Sequence, residues 1–349
     1  MYELKLFTVK DLRCWLYFNQ QIEGLEESII SRQRANAIIH NPYVLDDDPV
    51  VSGVYEAGEN VAYTAAFPDV VSEKRIWWFT TLWCNPAFRG KGYGLLAVGA
   101  LAEKYGEDCV FDLWGAPETI AIFNYLGLAS TMIPEYHLRD KKYSLDTIKG
   151  CIAFSLHKTI MRFNSRDNRW KKELSSIPYV LEYIDFVDAE TYAFILNNSE
   201  NNLFRRSSEM MNWVLQYPFI QQCLIKERVK GKESFRDVSY KYRLSGIKVL
   251  YENRLIGFFI LRESDSGMDI KYLYYENQFE KIVFYSILEH ILNSKPKEFA
   301  TRDRMLFSFI KACNLFPITE MHQISVSHPK SFIITDSAII QGGDGDNFV

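Results

Sequence analysis

Short apolar runs separated by polar turns fill the first 140 residues. Runs rich in β-branched and aromatic residues predict strands, and apolar residues three or four positions apart predict helices. The predicted strands are 2–9, 50–55, 61–67, 75–84, 109–114 and 131–138, and the predicted helices are 95–105, 118–126 and one from residue 12 that Asp11 caps. Gly58-Glu59-Asn60 marks a hairpin between the second and third strands. This order predicts an α/β fold, an α+β sandwich whose mixed, mostly antiparallel sheet is flanked by helices.

The second half repeats this order of elements with little residue identity. Its predicted elements are strands 247–251, 255–261, 268–275, 318–326 and 332–339, and helices 279–292 and 305–314. Ile282, Tyr285, Ile287, Leu288 and Ile291 are expected to form the inner face of the longer helix. We therefore predict two domains, residues 1–160 and 170–349, with a boundary around 160–172. Residues 148–160 fit either a helix or a strand.

Composition and charge limit the partners. The chain has 349 residues and a net charge of -4, which gives no electrostatic attraction to nucleic acid or to an anionic membrane. We expect neither as a partner. The six cysteines lack C-x-x-C spacing, which argues against structural zinc and fits a reducing compartment. No signal peptide or long apolar run is evident, so we expect a cytoplasmic location.

One stretch carries the chemistry. The turn Arg89-Gly90-Lys91-Gly92-Tyr93-Gly94 lies between a strand and a helix. Such a turn directs successive N–H groups at one anion, and the helix N-terminus adds free N–H groups and a positive dipole end. Arg89 and Lys91 supply charge for a pyrophosphate. A dinucleotide fingerprint needs its last Gly one residue later, and a P-loop needs Lys-Ser/Thr where Leu95-Leu96 stands.

This stretch resembles the acyl-CoA-binding motif of the GNAT N-acyltransferase superfamily. The motif core, [Arg/Gln]-x-x-Gly-x-[Gly/Ala], is matched by Arg89, Gly92 and Gly94, and Pro86 falls where such families often place a proline. Tyr125-Leu126-Gly127-Leu128 is similar to the family's Leu-Gly-Phe ending. The resemblance covers residues 1–140, and the second half resembles a degenerate GNAT-like repeat in a tandem arrangement.

The resemblance implies that the cofactor is acetyl-CoA or another acyl-CoA. It implies that the pantetheine arm lies as an added strand against the backbone of Leu82, Trp83 and Cys84. The pyrophosphate is then held by the amides of Arg89, Gly90, Lys91, Gly92, Tyr93 and Gly94. The implied reaction is direct attack on the thioester by the amine of a small molecule, an amino sugar or another small amine. The second half is expected to shape the acceptor site or to form a homodimer contact.

The family's usual catalytic residues are missing. Phe123 stands where many relatives have a Tyr as general acid, and Trp78 stands where some have a Glu base. Tyr125 lies about 200° further round the helix and should face elsewhere. The remaining candidates are Asp112, a carboxylate among apolar neighbours, and His137, on a late strand that borders the substrate side in this fold. A purely structural role is the alternative for both residues.

Other features left two interpretations open. Cys84 has no evident His partner, so we interpret it as an inert thiol rather than a nucleophile. Arg206-x-x-Glu209-x-x-Asn212-Trp213 with Pro218 resembles a motif of C-terminal halves in tandem proteins of this kind, with an ordinary amphipathic helix as the alternative. Residues 226–243 carry a basic excess that suits either a phosphorylated substrate or a solvated hairpin.

Three functions follow from these patterns. The first is a small-molecule N-acyltransferase. The second is a non-catalytic acyl-CoA-binding or scaffold protein, which Phe123 and Trp78 favour. The third resembles the tandem aminoacyl-transferases that use aminoacyl-tRNA, and the intact glycine turn and the net acidity count against it.

Overall fold

The computed structural model describes residues 1–71, 73–106, 110–113, 117–140, 176–222, 238–239, 241–265, 267–335 and 337–345. The strands are β1 Tyr2–Thr8, β2 Pro49–Glu56, β3 Glu59–Val71, β4 Lys74–Cys84, β5 Val110–Leu113, β6 Ala129–Arg139, β7 Tyr179–Ile184, β8 Gln221–Gln222, β9 Val238–Ser239, β10 Tyr242–Tyr251, β11 Arg254–Ser264, β12 Met268–Tyr275, β13 Glu298–Thr301 and β14 Ile318–His328. The helices are α1 Val9–Tyr17, α2 Arg32–Ile39, α3 Tyr93–Tyr105, α4 Pro117–Tyr125, α5 Ala189–Asn197, α6 Ser208–Gln216, α7 Glu280–Ser294 and α8 Arg304–Ala312. Short 3-10 turns, Pro86–Phe88 and Asn277–Phe279, precede α3 and α7.

Among the described residues, twelve strands form one continuous mixed sheet. Their order is β1-β2-β3-β4-β5-β14-β6-β13-β12-β11-β10-β7, while β8 and β9 pair separately. From one edge of the sheet the order is β1, β2, β3, β4, β5 and β14. From the other edge it is β7, β10, β11, β12, β13 and β6, so each strand of one series has a counterpart at the same position in the other. In both halves four antiparallel strands are followed by a parallel fifth strand, β5 beside β4 and β13 beside β12. The predicted α/β class with an antiparallel start is confirmed.

The two halves exchange their last strands. β14 of the second half pairs with β5 of the first, where Val326 faces Leu113, and β6 of the first half pairs with β13 of the second, where Leu138 faces Phe299. β6 and β14 also pair with each other along their full lengths. Each half therefore completes the other's sheet. The predicted domain boundary at 160–172 lies outside the described residues.

Local sequence explains the hairpins and the first helix. Ala57 and Gly58 have φ of 53° and 82°, and Glu252 and Asn253 have φ of 52° and 60°. Two successive residues at positive φ form the type I′ turn that suits the right-handed twist of a hairpin. At α1 the prediction needs a correction, because Thr8 is the N-cap and Asp11 closes a capping box from the third helical position.

Other predictions had mixed outcomes. The strand predicted at 332–339 is wrong, because its described residues, 332–335 and 337–339, form no strand ladder, and Phe332 lies edge-on against Phe111. The structure adds elements the pattern did not predict: α2, α5, β7 and β13. The predicted inner face of α7 is confirmed except for Ile282, which is half-buried. The ambiguous segment 148–160 and most of 226–243 lie outside the described residues.

Helices and loops cover both faces of the central strands. Trp77 and Phe79 of β4 contact Tyr105 of α3 on one face, while Trp78 contacts Phe204 on the other. This alternation follows from the two-residue period of a strand. Within the described part of the chain, no helix is both long enough and apolar enough to cross a lipid bilayer.

Candidate functional site

The glycine loop, residues 89–94, begins as an exposed turn. Arg89, Gly90, Lys91 and Gly92 are all exposed to solvent. Gly90 and Gly92 have φ of 80° and 82°, in the left-handed region that favours glycine. A Cβ atom at either glycine would meet no atom within 4 Å. The space over the loop is therefore open to a ligand.

The loop ends at the start of α3. Gly92 is the N-cap, and its carbonyl accepts a hydrogen bond from the N–H of Leu96 at 3.0 Å. By the geometry of an α-helix, the N–H groups of Tyr93, Gly94 and Leu95 have no acceptor within the helix. The N–H of Gly94 is directed at the Cys84 thiol, which leaves the N–H groups of Tyr93 and Leu95, together with the positive end of the helix dipole, as groups suited to an anion.

β4 separates from β5 just before the glycine loop. Parallel pairing between the two described strands ends at Phe79 and Asp112. Two residues further on, Thr81 has φ of 54° and the register with β3 shifts, which marks a β-bulge. A bulge bends its strand and increases the twist. Among the described residues, no strand pairs with the β5-facing edge of residues 82–84.

The second half repeats this separation. Parallel pairing of β12 with β13 ends at Asp269 and Ala300. Two residues further on, Lys271 is the extra residue of a bulge against β11. Lys271 thus occupies the position that Thr81 has in the first half.

The second separation is filled by the chain's own tail segment, residues 341–345. Gly343 donates its N–H to the carbonyl of Lys271 at 2.6 Å. The side-chain amide of Gln341 accepts from the N–H of Leu273 at 3.3 Å and donates to its carbonyl at 3.1 Å. The backbone groups of an edge freed in this way therefore pair with amides of another segment.

Asp112 lies at the last rung before β4 and β5 separate. It is buried, and its neighbours in the sheet are Phe79 on one side and Ser327 on the other. Paired residues share a face of a sheet, so its side chain lies on the side of Phe79. The Phe79 ring contacts Tyr105 and Phe123. Asp112 is thus a buried carboxyl beneath α3 and α4.

His137 of β6 is held between two carboxylates, one on β6 and one on β13. Its Nδ1 lies 2.6 Å from Glu298 Oε1, and its Nε2 lies 2.9 Å from Glu135 Oε2. Burial lowers the pKa of His137, but hydrogen bonds to both carboxylates outweigh burial, so the pKa is raised. With both nitrogens protonated, the ring donates on both sides and carries a positive charge.

The structure does not bring Asp112 and His137 together. Across the sheet Asp112 aligns with Ser327, and Ser327 aligns with Ser130 of β6. His137 lies further along β6, roughly 23 Å from Ser130 at about 3.3 Å per residue. The two predicted residues therefore do not face one reacting atom.

The residues at the family's usual catalytic positions are packed or exposed. Phe123 is buried against the ring of Phe79 at 5.4 Å, and Tyr125 is 77% exposed, in agreement with the predicted 200° between them. Trp78 is buried and donates its indole N–H to Asp69 at 2.8 Å. Among the described residues, none of the three offers an acid or base to the strand separation.

Cys84 ends β4 beside the glycine loop. Burial raises the pKa of its thiol more than the charge of Arg89 and the N–H of Gly94 lower it. A neutral thiol is a poor nucleophile. This environment agrees with the interpretation of Cys84 as an inert thiol.

Sequence reasoning missed a buried ion cluster that joins the halves. The guanidinium of Arg206 donates to Asp69 of β3 and, from Nη2 at 2.8 Å, to Asp344 of the tail segment. All three side chains are at most 2% exposed. The motif that begins at Arg206 is the one signal for it, and its other members are structural. Trp213, for example, donates to the carbonyl of Ala37 at 2.7 Å.

The described residues thus combine an α/β fold whose element order repeats with an exposed glycine turn at the start of a helix. No protein-family model matches the sequence, and no curated protein matches it. Solved structures do match. One is a GCN5-related N-acetyltransferase from Kribbella flavida, with 13% identity and a TM-score of 0.45, covering 93% of this chain and 71% of that one.

Two further matches have the tandem size of this chain. A tandem GNAT protein from the clavulanic acid biosynthesis pathway has 11% identity and a TM-score of 0.46, covering 93% of this chain and 98% of that one. N-myristoyltransferase from Saccharomyces cerevisiae, with bound myristoyl-CoA, has 10% identity and a TM-score of 0.47, covering 93% and 82%. The first two of these three structures carry the name of the family that the glycine turn resembles. At such identities the likeness concerns the fold alone.

Proposed function

We propose that this protein is an acyl-CoA-dependent N-acyltransferase that moves an acetyl or other short acyl group to the amine of a small molecule. The glycine loop is the observation that carries the proposal. It is an exposed turn that opens a helix, and only a short 3-10 turn separates it from a strand that has left its neighbour. Free amides at a helix N-terminus fit a diphosphate, and Arg89 and Lys91 add positive charge.

The strand separation supports a place for the pantetheine arm. Residues 82–84 offer an unpaired edge, and pantetheine carries two amides that fit such an edge. The second half supports this role, because the amide of Gln341 pairs with Leu273 on the equivalent edge. Leu273 corresponds to Trp83, since each lies two residues beyond the bulge of its strand. The thioester then lies near the bulge at Thr81.

For the chemistry we propose direct attack. The amine nitrogen forms a bond to the thioester carbonyl carbon, the C–S bond breaks, and the ammonium proton passes to a base. Asp112 is the proposed base, because it lies buried at the rung where the strands part. His137 is less suited, because both its nitrogens are already hydrogen-bonded to carboxylates. The thiolate leaves with a pKa of about 8.5, so the missing general acid at Phe123 does not prevent turnover.

A non-catalytic acyl-CoA-binding protein is the second candidate. The packed ring of Phe123 favours it, since no proton donor stands at that position. The two functions differ in turnover and share the cofactor. Calorimetric titration with acetyl-CoA, followed by thiol release in the presence of amino sugars and other small amines, separates them.

The outcomes are distinct. Binding together with amine-dependent thiol release supports the transferase. Binding without release across the whole amine panel supports the binding protein. Failure to bind acetyl-CoA or longer acyl-CoA molecules contradicts both, and stabilisation by charged tRNA alone would favour the aminoacyl-tRNA-dependent alternative.

A further inference from the structure

We propose that a cavity in the second half is a binding site for a small monocarboxylate. The cavity, of about 240 Å³, lies between β12, the tail segment and the loop after α5. Its walls include Asn202, Tyr274, Arg302, Asp303 and Gln341. At about 30 Å³ per water molecule, it has room for roughly eight waters, or for a molecule the size of a small amino or hydroxy acid.

Three buried donors at this cavity have no hydrogen-bond partner among the described residues. They are Arg302 Nη2, the Tyr274 hydroxyl and Asn202 Nδ2. The Arg302 side chain is 5% exposed, and Tyr274 is 1% exposed. Asn202 lies beside the Tyr274 hydroxyl, but the two atoms do not meet with hydrogen-bond geometry. Because a buried donor without an acceptor destabilises a fold, three together indicate an acceptor supplied by a ligand.

The charge of Arg302 indicates what that ligand is. Its Nη1 donates to the carbonyl of Gln341 at 2.7 Å, and its Nε lies 3.5 Å from Glu135 Oε1. Glu135 also binds His137, so it is shared between two cations. The free Nη2 is placed to donate to a carboxylate oxygen in a charge-assisted hydrogen bond. Arg302 is the one cation among the described residues that line the cavity, and the same lining holds two acids, Glu200 and Asp303, so a ligand with one negative charge suits the site better than a ligand with two.

The site is not a second acyl-CoA site. The tail segment already covers the edge of β12 that would receive the pantetheine arm. The turn before α7 has no glycine, and Arg254 and Glu276 form an ion pair beside it. The tail segment fills part of the space where β12 and β13 separate, and the cavity lies beside it.

The test titrates the full-length protein with the sodium salts of acetate, butyrate and glutamate, with chloride and phosphate at matched ionic strength. Heat of binding and the shift of the unfolding temperature are recorded. Tyr274→Phe removes one hydroxyl, and Asn202→Asp places a negative charge where a carboxylate is expected. Each should weaken carboxylate binding by about tenfold or more. Tyr242→Phe is the matched control, because it also removes a buried hydroxyl without a described partner but lies outside the cavity lining.

Carboxylate binding that both cavity variants weaken and the control retains supports the site. Absence of binding at millimolar carboxylate, binding of phosphate alone, or equal binding by all variants overturns it. The titration contains no coenzyme A, so its result is independent of the proposed transferase activity. A protein that binds acetyl-CoA and no carboxylate contradicts the cavity proposal alone.

Discussion

Thr81 and Lys271 are equivalent residues of the two halves. Each lies two positions beyond the last described parallel pair of its half, and each marks the bulge where the fourth strand leaves the fifth. In the first half the freed edge leads into the exposed glycine loop. In the second half the tail segment covers the edge through Gly343 and Gln341. The free strand edge beyond the bulge is therefore open to a ligand in one half and covered by the protein's own chain in the other.

Gly92→Glu is expected to abolish acyl-CoA binding. At φ of 82° the new carboxylate would stand at the start of α3 and repel a diphosphate, and the backbone strain would cost about 1 kcal/mol. Calorimetric titration with acetyl-CoA measures the effect. Gly58→Glu is the matched control, because Gly58 has the same φ and equally open space. Normal binding by the Gly92 variant, or equal loss in both, contradicts the assignment of the loop.

Asp112→Asn is expected to lower kcat by about 10²- to 10⁴-fold while acetyl-CoA binds normally. Asparagine keeps the shape of the side chain but does not accept the ammonium proton. Stopped assays across pH should also show loss of the acidic limb of the rate profile. Ser327→Ala, on the neighbouring strand at the same rung, serves as control. An unchanged kcat would leave Asp112 a structural residue.

The local structure around the glycine loop was predictable because each of its elements has its own sequence signal. A β-rich run, a glycine turn and a helix follow one another in residues 75–105, and each element has its own signal. The bulge was not predictable in the same way. It depends on how β4 registers against β3, and threonine at residue 81 carries no preference for a φ of 54°.

Contacts between residues that are far apart in the sequence could not be predicted from the pattern of apolar and polar residues. Nothing in the sequence of the tail segment places Asp344 against Arg206 or Gln341 against Leu273. The exchange of β6 and β14 between the halves could not be predicted from the sequence either. Each strand would have the same residue pattern if it paired within its own half. The strand predicted at 332–339 failed for a different reason. Apolar residues there suggested a strand, but they make individual packing contacts, such as Phe332 with Phe111.

Gly342→Ala is expected to destabilise the protein by about 1–3 kcal/mol. A Cβ at this position would meet the backbone oxygen of Ile270 at 2.3 Å, so the tail segment would have to lift from β12. Gly99→Ala is the control, because no atom lies within 4 Å of its Cβ position inside α3, and alanine there should be neutral or stabilising. Urea unfolding compares them, and equal stability of both variants would mean that the tail segment contributes little.

Arg206→Met is expected to destabilise the protein by about 3–5 kcal/mol. The substitution leaves the carboxylates of Asp69 and Asp344 buried without their cation. Arg206→Lys should rescue little, since an ammonium cannot reproduce the fork of a guanidinium. The exposed neighbour Arg205→Ala is the control and should change stability by at most about 0.5 kcal/mol. A Met variant as stable as the parent would show that the cluster does not hold the halves together.

His137 predicts a pH dependence of stability with a definite sign. Its folded-state pKa is raised above 6.5 by Glu135 and Glu298, although burial acts against them, so folding favours the protonated ring. The stabilisation is fully present below pH 6.5 and is lost as pH rises through the raised pKa. The difference in unfolding free energy between the parent protein and His137→Gln should therefore shrink as pH rises above 6.5.

His290 supplies the control with the opposite sign. Burial lowers its pKa below 6.5, so folding favours the neutral ring and its contribution to stability grows as pH rises towards 6.5. The stability of the parent relative to His290→Gln should thus increase as pH rises towards 6.5, below the range in which the parent loses its advantage over His137→Gln. Denaturant unfolding at several pH values measures both differences. If the two differences ran in parallel, the slope would reflect a global change of the protein, and the carboxylate pair around His137 would not be its cause.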